Sequence, residues 1–140
     1  MKGQYLAIEY LLFFTIGVIM IVFVYYIFSG LNQQYGKATT EYQLQMTGQL
    51  IMGSMIRVFE TSNSTNSQVS YNLTIPTKLS NCIYSIRELN GFLLLECIEI
   101  RGMSANLTLY NFNIKIKNNI IYSTDGLLEI SAKGGEIDLK

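Results

Sequence analysis

The chain has 140 residues, of which ten are basic and ten acidic, and it contains no His and no Trp. Without His, the commonest general base, proton shuttle and metal ligand is missing, so we expect no enzyme and no metal or cofactor site. The net charge is zero and the basic residues form no cluster. Because nucleic-acid-binding proteins use a basic surface to contact phosphates, no nucleic-acid partner is expected.

The first predicted element is a helix that crosses a membrane. Residues 5–31 form an apolar run in which Glu9 is the only charge, and the 22 residues from Tyr10 to Leu31 carry none. As a helix, this stretch would span about 33 Å, enough for the hydrocarbon core of a bilayer. A secretory signal would have a shorter apolar core followed by a small-residue cleavage site, which residues 31–34 do not provide.

The residues in front of the apolar run indicate processing at that end. Lys2 and Gly3 precede Gln4, and Glu9 follows within a stretch that contains Tyr and Leu. This layout resembles the class III signal peptide of archaeal type IV pilins, which a prepilin peptidase removes. The resemblance implies a leader of residues 1–3, cut between Gly3 and Gln4. Because Glu9 would then be the sixth residue where the family usually has the fifth, a cut after Gln4 stays open.

Glu9 needs a compensating interaction, because a carboxylate in a membrane helix costs up to ~2.5–3.5 kcal/mol at the bilayer centre and less toward the interface. The pilin resemblance implies that Glu9 pairs with the free amino group of a processed neighbouring subunit and so registers each subunit on assembly. The alternative is that Glu9 lies at the interface, where the helix dipole favours an anion and water reaches it. For assembly, Gly17 is expected to allow close helix approach.

Helical periodicity continues after the membrane segment. Apolar and small residues recur three or four positions apart between residues 32 and 60, and no Pro occurs between residues 2 and 75. We therefore predict one helix over residues 5–59, whose first half lies in lipid or in a filament core and whose second half carries a globular head. That is the lollipop shape of a type IV pilin. The alternative is two helices joined by a hinge at residues 29–36.

The helical signal stops at residue 61, where a run of Thr, Ser and Asn begins. Beyond it, segments of β-branched and aromatic residues alternate with turn-forming pairs such as Asn118-Asn119. Strands are predicted near residues 69–75, 82–87, 92–100, 106–110, 112–117, 120–123, 127–132 and 136–139. We expect an α+β fold, in which a leader (1–3) and a long N-terminal hydrophobic helix (4–60) precede a small, extracellular antiparallel β-sandwich head (61–140) with meander or Greek-key connections.

The two cysteines, Cys82 and Cys97, lie in one predicted hairpin. A four-residue loop over residues 88–91 would place them directly opposite each other, whereas a two-residue turn at Asn90-Gly91 would make them diagonal neighbours. In either register they share an inward face with Tyr84, Ile86, Leu93 and Leu95. We favour a disulfide, worth about 3 kcal/mol for so short a loop, over two reduced core thiols, because the head is expected to lie outside the membrane.

Three N-x-S/T sequons, at Asn63, Asn72 and Asn106, are candidate N-glycosylation sites. Asn63 lies in the most loop-like segment and is the best candidate. Asn72 and Asn106 fall in predicted strands, where only an outward-facing side chain could carry a glycan. Archaea glycosylate surface filaments at such sequons, which agrees with the pilin resemblance.

Two functions stay open at the level of sequence. The first is a structural subunit, a major or minor pilin, of an archaeal type IV pilus-like filament for adhesion, which assembles through its hydrophobic N-terminal helix. Its partners would be further copies or other pilins, the prepilin peptidase and a membrane assembly platform. It would lie in the cell membrane before assembly and in an extracellular filament afterwards. The second is a membrane-anchored accessory or stator-type protein of the archaeal swimming filament, which binds the surface layer.

Overall fold

The computed structural model describes residues 2–109, 113–116 and 120–140, with side chains for residues 7–109 and 120–140. The chain forms two compact units, Met1–Lys37 and Ala38–Lys140. We call the second unit the head. One long helix supplies the described residues of the first unit and the beginning of the head, and strands follow it, so the chain has the α+β fold that the sequence predicts.

Helix α1 runs from Lys2 to Thr65. Residues 29–36, the hinge of the two-helix alternative, are helical. Gly30 and Gly36 weaken a helix by only about 1 kcal/mol each, and no Pro removes a backbone donor here. Within the head, one face of α1 is buried at helical spacing. Its buried apolar side chains are Leu44, Ile51, Met55 and Val58.

The end of α1 differs from the prediction, because residues 61–65 are helical instead of forming a turn. Except for Ser62, which donates to Ala132 O, these hydroxyls donate to carbonyl oxygens of the preceding turn and so remain satisfied inside a helix. Thr61 donates to Arg57 O at 2.8 Å and Thr65 donates to Thr61 O at 2.7 Å. The helix stops where Asn66 adopts a left-handed φ of 51°, a conformation that Asn tolerates better than most residues.

Eight described strands follow α1 in two four-stranded sheets. In chain order they are β1 Val69–Thr74, β2 Tyr84–Leu89, β3 Phe92–Cys97, β4 Ser104–Thr108, β5 Asn113–Ile116, β6 Ile121–Tyr122, β7 Leu127–Lys133 and β8 Glu136–Leu139. The first sheet has the order β1-β7-β8-β5 and the second has the order β4-β3-β2-β6. All pairs are antiparallel except β5 with β8, which is parallel. Strands β2, β3 and β4 form the expected meander.

Strand β3 is shorter than predicted and stops at Cys97 instead of residue 100. The chain turns back within residues 98–103, where Gly102 has a φ of 87° and Cys97 N donates to Met103 O at 2.9 Å. Strand β4 consequently begins at Ser104, two positions earlier than predicted.

Strands β2 and β6 also differ at their ends. Strand β2 starts at Tyr84, because Leu79 and Cys82 form a separate antiparallel bridge before it. Strand β6 keeps two residues, since a 3-10 helix begins at the buried Ser123. Residues 110–112 and 117–119 lie outside the described residues, and with them the ends of two predicted strands and the predicted turn at residues 118–119.

One hydrophobic core joins the head's part of α1 to both sheets. Its sheet members are Leu73, Leu128, Ile130, Ile137 and Leu139 from the first sheet and Tyr84, Ile86, Leu93, Leu95 and Leu107 from the second. Gly48 permits the close approach of α1 to the second sheet, because a Cβ at this position would collide with Leu107 and lie 3.2 Å from Leu95 Cδ1. The core therefore needs the helix as a third layer.

Candidate functional site

The first unit of α1 presents apolar side chains on all sides. Every described side chain from residue 7 to residue 37 is exposed. The large hydrophobic ones keep between 41% (Leu31) and 78% (Tyr26) of their surface exposed. A helix of a soluble domain buries one apolar face, whereas this stretch is apolar all round and long enough to cross a membrane. It is a surface suited to lipid or to other apolar helices.

Glu9 lies on this apolar stretch with its carboxylate exposed. Its side chain has no ion-pair partner among the residues whose side chains are described. The backbone of Lys2, Gly3 and Gln4 is helical, and their side chains lie outside the described set, so the cleavage bond stays a prediction. Pairing of Glu9 with a neighbour's amino terminus stays a prediction as well.

Gly17 is not required by any packing contact within the described chain. A Cβ built at this position would meet no heavy atom within 4 Å. Two positions earlier, Thr15 donates its hydroxyl to Leu11 O at 2.7 Å, which satisfies this polar group inside the helix. The surface around residue 17 thus offers a second helix a shallow, apolar approach with no unsatisfied donor.

The head closes its central hairpin with a disulfide between Cys82 and Cys97, whose Cα atoms are 5.8 Å apart. The turn has two residues, since Leu89 pairs with Phe92, and Tyr84 stands opposite Cys97. The four-residue loop is therefore wrong, and the cysteines are the diagonal neighbours of the alternative register. Asn90 and Gly91 both have positive φ, 53° and 79°, the geometry of the hairpin turn that matches strand twist.

The inward face predicted for the cysteines is confirmed. Cys82 and Cys97 are buried together with Tyr84, Ile86, Leu93 and Leu95. The Tyr84 hydroxyl donates to Pro76 O at 2.8 Å, and burial raises the pKa of Tyr84 to about 12. A buried Tyr with its hydroxyl satisfied by a backbone carbonyl is a structural group and a poor candidate for proton transfer.

A second buried polar residue, Ser123, was not predicted from the sequence to have a structural role. Its hydroxyl donates to Thr77 O at 2.8 Å and accepts from Tyr84 N at 3.2 Å. Together with the Tyr84 hydroxyl it fixes the segment that follows β1 against the second sheet. A lone Ser beside a strand gives no sequence signal for such a role, because its partners are backbone atoms distant along the chain.

The three sequon asparagines, Asn63, Asn72 and Asn106, are all exposed. Asn63 lies in the last turn of α1 and not in a loop, so the reason for preferring it is wrong. Asn72 lies in β1 and Asn106 in β4, and each faces outward while the following Leu is buried. The condition set for glycosylation in a strand is therefore met at both positions.

Concave surfaces on the head are small. A groove of about 260 Å³ separates α1 from the start of β1, and another of about 170 Å³ lies beside Asn106. Within the described side chains, no three Cys, Asp or Glu residues are grouped closely enough to hold a metal ion.

Comparisons with protein-family models, with curated proteins and with solved structures give no match to this chain. The function is therefore inferred from the residues of this chain and their geometry.

Proposed function

We propose that this protein is a structural subunit, a major or minor pilin, of an archaeal type IV pilus-like surface filament. One observation carries the proposal: the apolar residues 7–31 of α1 are exposed on every side, while the head buries its own core. The order of Lys2, Gly3, Gln4 and Glu9 ahead of that stretch supports the same assignment through its resemblance to a class III leader.

The exposed apolar surface of α1 requires an apolar environment that buries it. Apolar area left in water costs roughly 25 cal/mol per Å², so a helix that exposes the 25 mainly apolar residues 7–31 cannot stay in water. Lipid satisfies it before assembly, and a bundle of identical helices satisfies it afterwards. In the bundle, Glu9 gains the amino group of a processed neighbour, and Gly17 gains a neighbouring helix.

A second function draws on the same helix. It is long and apolar enough to stay in a bilayer permanently, which suits a membrane-anchored accessory or stator-type protein of the archaeal swimming filament that binds the surface layer. In that case the head, and not the helix, would carry the partner surface. Recovery of the chain in purified filaments or only in membranes separates the two functions.

The decisive experiment replaces Glu9 by Ala in the native host and measures membrane insertion, processing and recovery in purified filaments. We expect insertion to persist, because the apolar run drives it, and processing to persist, because Lys2, Gly3 and Gln4 are unchanged. Recovery in filaments should fall by about tenfold or more, because an assembled subunit would leave an amine unpaired in a dry core. Glu41→Ala is the matched control, since Glu41 is an exposed acid farther along the same helix.

The outcomes distinguish the filament function of the chain from the specific role of the Glu9 carboxylate. A wild-type chain absent from filaments contradicts the filament function and favours the anchored accessory protein. A Glu9→Ala chain that enters filaments normally shows that Glu9 is an interfacial residue and leaves the filament function standing. Gly17→Leu tests helix approach in parallel, with Val18→Leu as its neighbour control, because a Cβ at residue 17 has no contact within 4 Å in the described single chain.

A further inference from the structure

The two sheets have four edge strands, and two of these lack the usual protection against pairing with another chain. Natural edges are kept short, carry Lys or contain Pro. Strand β6 has two residues, and β5 contains Lys115. Strands β1 and β4 have six and five residues, with neither a charge nor a Pro. They are the open edges among the described strands, one on each sheet.

Helix α1 does not close these edges. A groove of about 260 Å³ lies between Ser54 to Thr61 of the helix and the first residues of β1. Another of about 250 Å³ lies between Glu41 and Gln45 of the helix and the first residues of β4. Each groove separates the helix from the strand, and β1 and β4 each have one paired neighbour in their sheet, so the other side of each strand is available to an extended segment of another chain.

The two open edges carry the two strand sequons, and both sequons read Asn-Leu-Thr. Leu73 and Leu107 each keep 7% of their surface exposed, because they point into the core. Strand alternation then turns Asn72 and Thr74, and likewise Asn106 and Thr108, outward. Both acceptor amides are therefore presented to solvent on the outer face of an edge strand.

Beside Asn106 lies a patch that a sugar could cover. The cavity of about 170 Å³ at this position is lined by Asn106, Leu89, Asn90, Phe92 and Leu94. Leu89 keeps 50% and Phe92 keeps 43% of its surface exposed, which is unusual for apolar side chains in a paired hairpin. The carbon-bound hydrogens of a pyranose ring pack well against an aromatic face, so the patch on β3 would hold the first sugar on Asn106, and the following sugars would have to cover the free edge of β4.

We propose that N-linked oligosaccharides on Asn72 and Asn106 cap the two open edge strands and prevent strand pairing between heads. This rests on the proposed function only in requiring the head to lie outside the membrane. The donor is a lipid-phosphate-linked oligosaccharide. The amide nitrogen forms a bond to the anomeric carbon, the bond from that carbon to the phosphate oxygen breaks, and the lipid phosphate leaves as the amide loses one proton.

The test uses the full chain from the native host, solubilised in detergent. Glycopeptide mass spectrometry of the wild type should find a glycan at Asn72 and at Asn106. The double variant N72Q/N106Q should lose both glycan masses and form larger species in sedimentation. Hydrogen exchange of peptides that contain β1 and β4 should slow in those species, which distinguishes edge pairing from association through α1.

Three controls isolate the edge effect. T74S/T108S keeps both acceptor sequences and should stay glycosylated and unassociated. N72K/N106K removes the glycans but places a charge on each edge, so it should also stay unassociated. N63Q removes the sequon at the end of α1 and should leave association unchanged.

The results separate this proposal from the filament function. Wild-type filaments with unmodified Asn72 and Asn106 overturn edge capping and leave the filament function intact. Glycosylated Asn72 and Asn106 in a chain that never enters filaments overturn the filament function and leave capping intact. An N72Q/N106Q chain that lacks both glycans and stays monomeric, with unchanged exchange in β1 and β4, also overturns capping.

Discussion

Three buried hydroxyls show how single residues hold the head together. Tyr84, Ser123 and Ser62 are all buried, and each donates to a backbone carbonyl from another part of the chain. Ser62 donates to Ala132 O at 3.1 Å and so connects the end of α1 to β7. A buried hydroxyl without a partner would cost about 1–3 kcal/mol, so each of these contacts selects one arrangement of its loop.

Tyr84 should make the head sensitive to alkaline pH. Its pKa is raised from 10.0 to about 12 by burial, so the unfolded chain loses this proton first. The stabilisation is complete below pH 10, declines as pH rises above it, and is lost by pH 12, with a total of about 2–3 kcal/mol. Tyr84→Phe should remove this slope in chemical unfolding of the detergent-solubilised chain.

The control for Tyr84→Phe is its behaviour at neutral pH. There the variant should lose only the hydrogen bond to Pro76 O, about 0.5–1.5 kcal/mol. The wild type should therefore fall to the stability of the variant between pH 10 and 12 and lie below it near pH 12, because it loses more over this interval than the hydrogen bond contributes. Parallel pH profiles over that interval would show that burial of Tyr84 does not shift its proton equilibrium.

At the scale of elements, the sequence predicts the helix and the strands, because both depend on local residue patterns. The absence of Pro and the apolar spacing predict α1, and alternation with turn pairs predicts the eight strands near their observed positions. The polar run after residue 60 was predicted to be a turn and is helical. Hydroxyl groups of this run donate hydrogen bonds to backbone carbonyl oxygens within α1, which lets the helix continue.

Long-range pairing is beyond the local pattern. The parallel pairing of β5 with β8 joins strands that two other strands separate in sequence, so no turn chemistry reports it. The hairpin register needed a choice between two loops that both suit Asn90 and Gly91, and strand twist decides for the shorter one. The exposed apolar surface of the helix was predictable because an uninterrupted apolar run is visible in the composition, whereas the edge position of Asn72 and Asn106 needed the sheet order.

Two glycines of α1 provide a test of how the helix packs in the head. A Cβ at Gly48 would collide with Leu107, whereas one at Gly53 would meet nothing within 4 Å. Ala at either site gains the same helix propensity, about 1 kcal/mol. Gly53→Ala should therefore be stabilising, and Gly48→Ala should be less stable than Gly53→Ala by about 1–3 kcal/mol because it overpacks the core.

Denaturant unfolding monitored through a head signal measures this difference. Gly30→Ala is a further control, since a Cβ there also meets nothing within 4 Å and residue 30 lies outside the head. Equal stability of Gly48→Ala and Gly53→Ala would contradict the close approach of α1 to β4.

At the scale of the whole molecule, the two units treat apolar surface in opposite ways. The head, Ala38–Lys140, collects its apolar side chains into one core and closes its hairpin with a disulfide. The unit Met1–Lys37 buries none of its described side chains. The head thus covers its apolar side chains within one chain, whereas the first unit leaves its described apolar side chains uncovered. A disulfide in the head fits an oxidising location outside the membrane.

The disulfide yields a prediction about both location and stability. Because both cysteines are buried, native cells are first denatured without reductant, and thiol alkylation should then label neither Cys82 nor Cys97, since the bridge already joins them where the head resides. Stoichiometric labelling of both would place the head in a reducing compartment and contradict the surface location. In the purified chain, Cys82→Ala with Cys97→Ala should lower the free energy of unfolding by about 3 kcal/mol, since the bridge closes a loop of 15 residues. The single variant Cys97→Ala is the control, because it leaves Cys82 as a thiol and shows that the alkylating reagent labels this position when no bridge protects it.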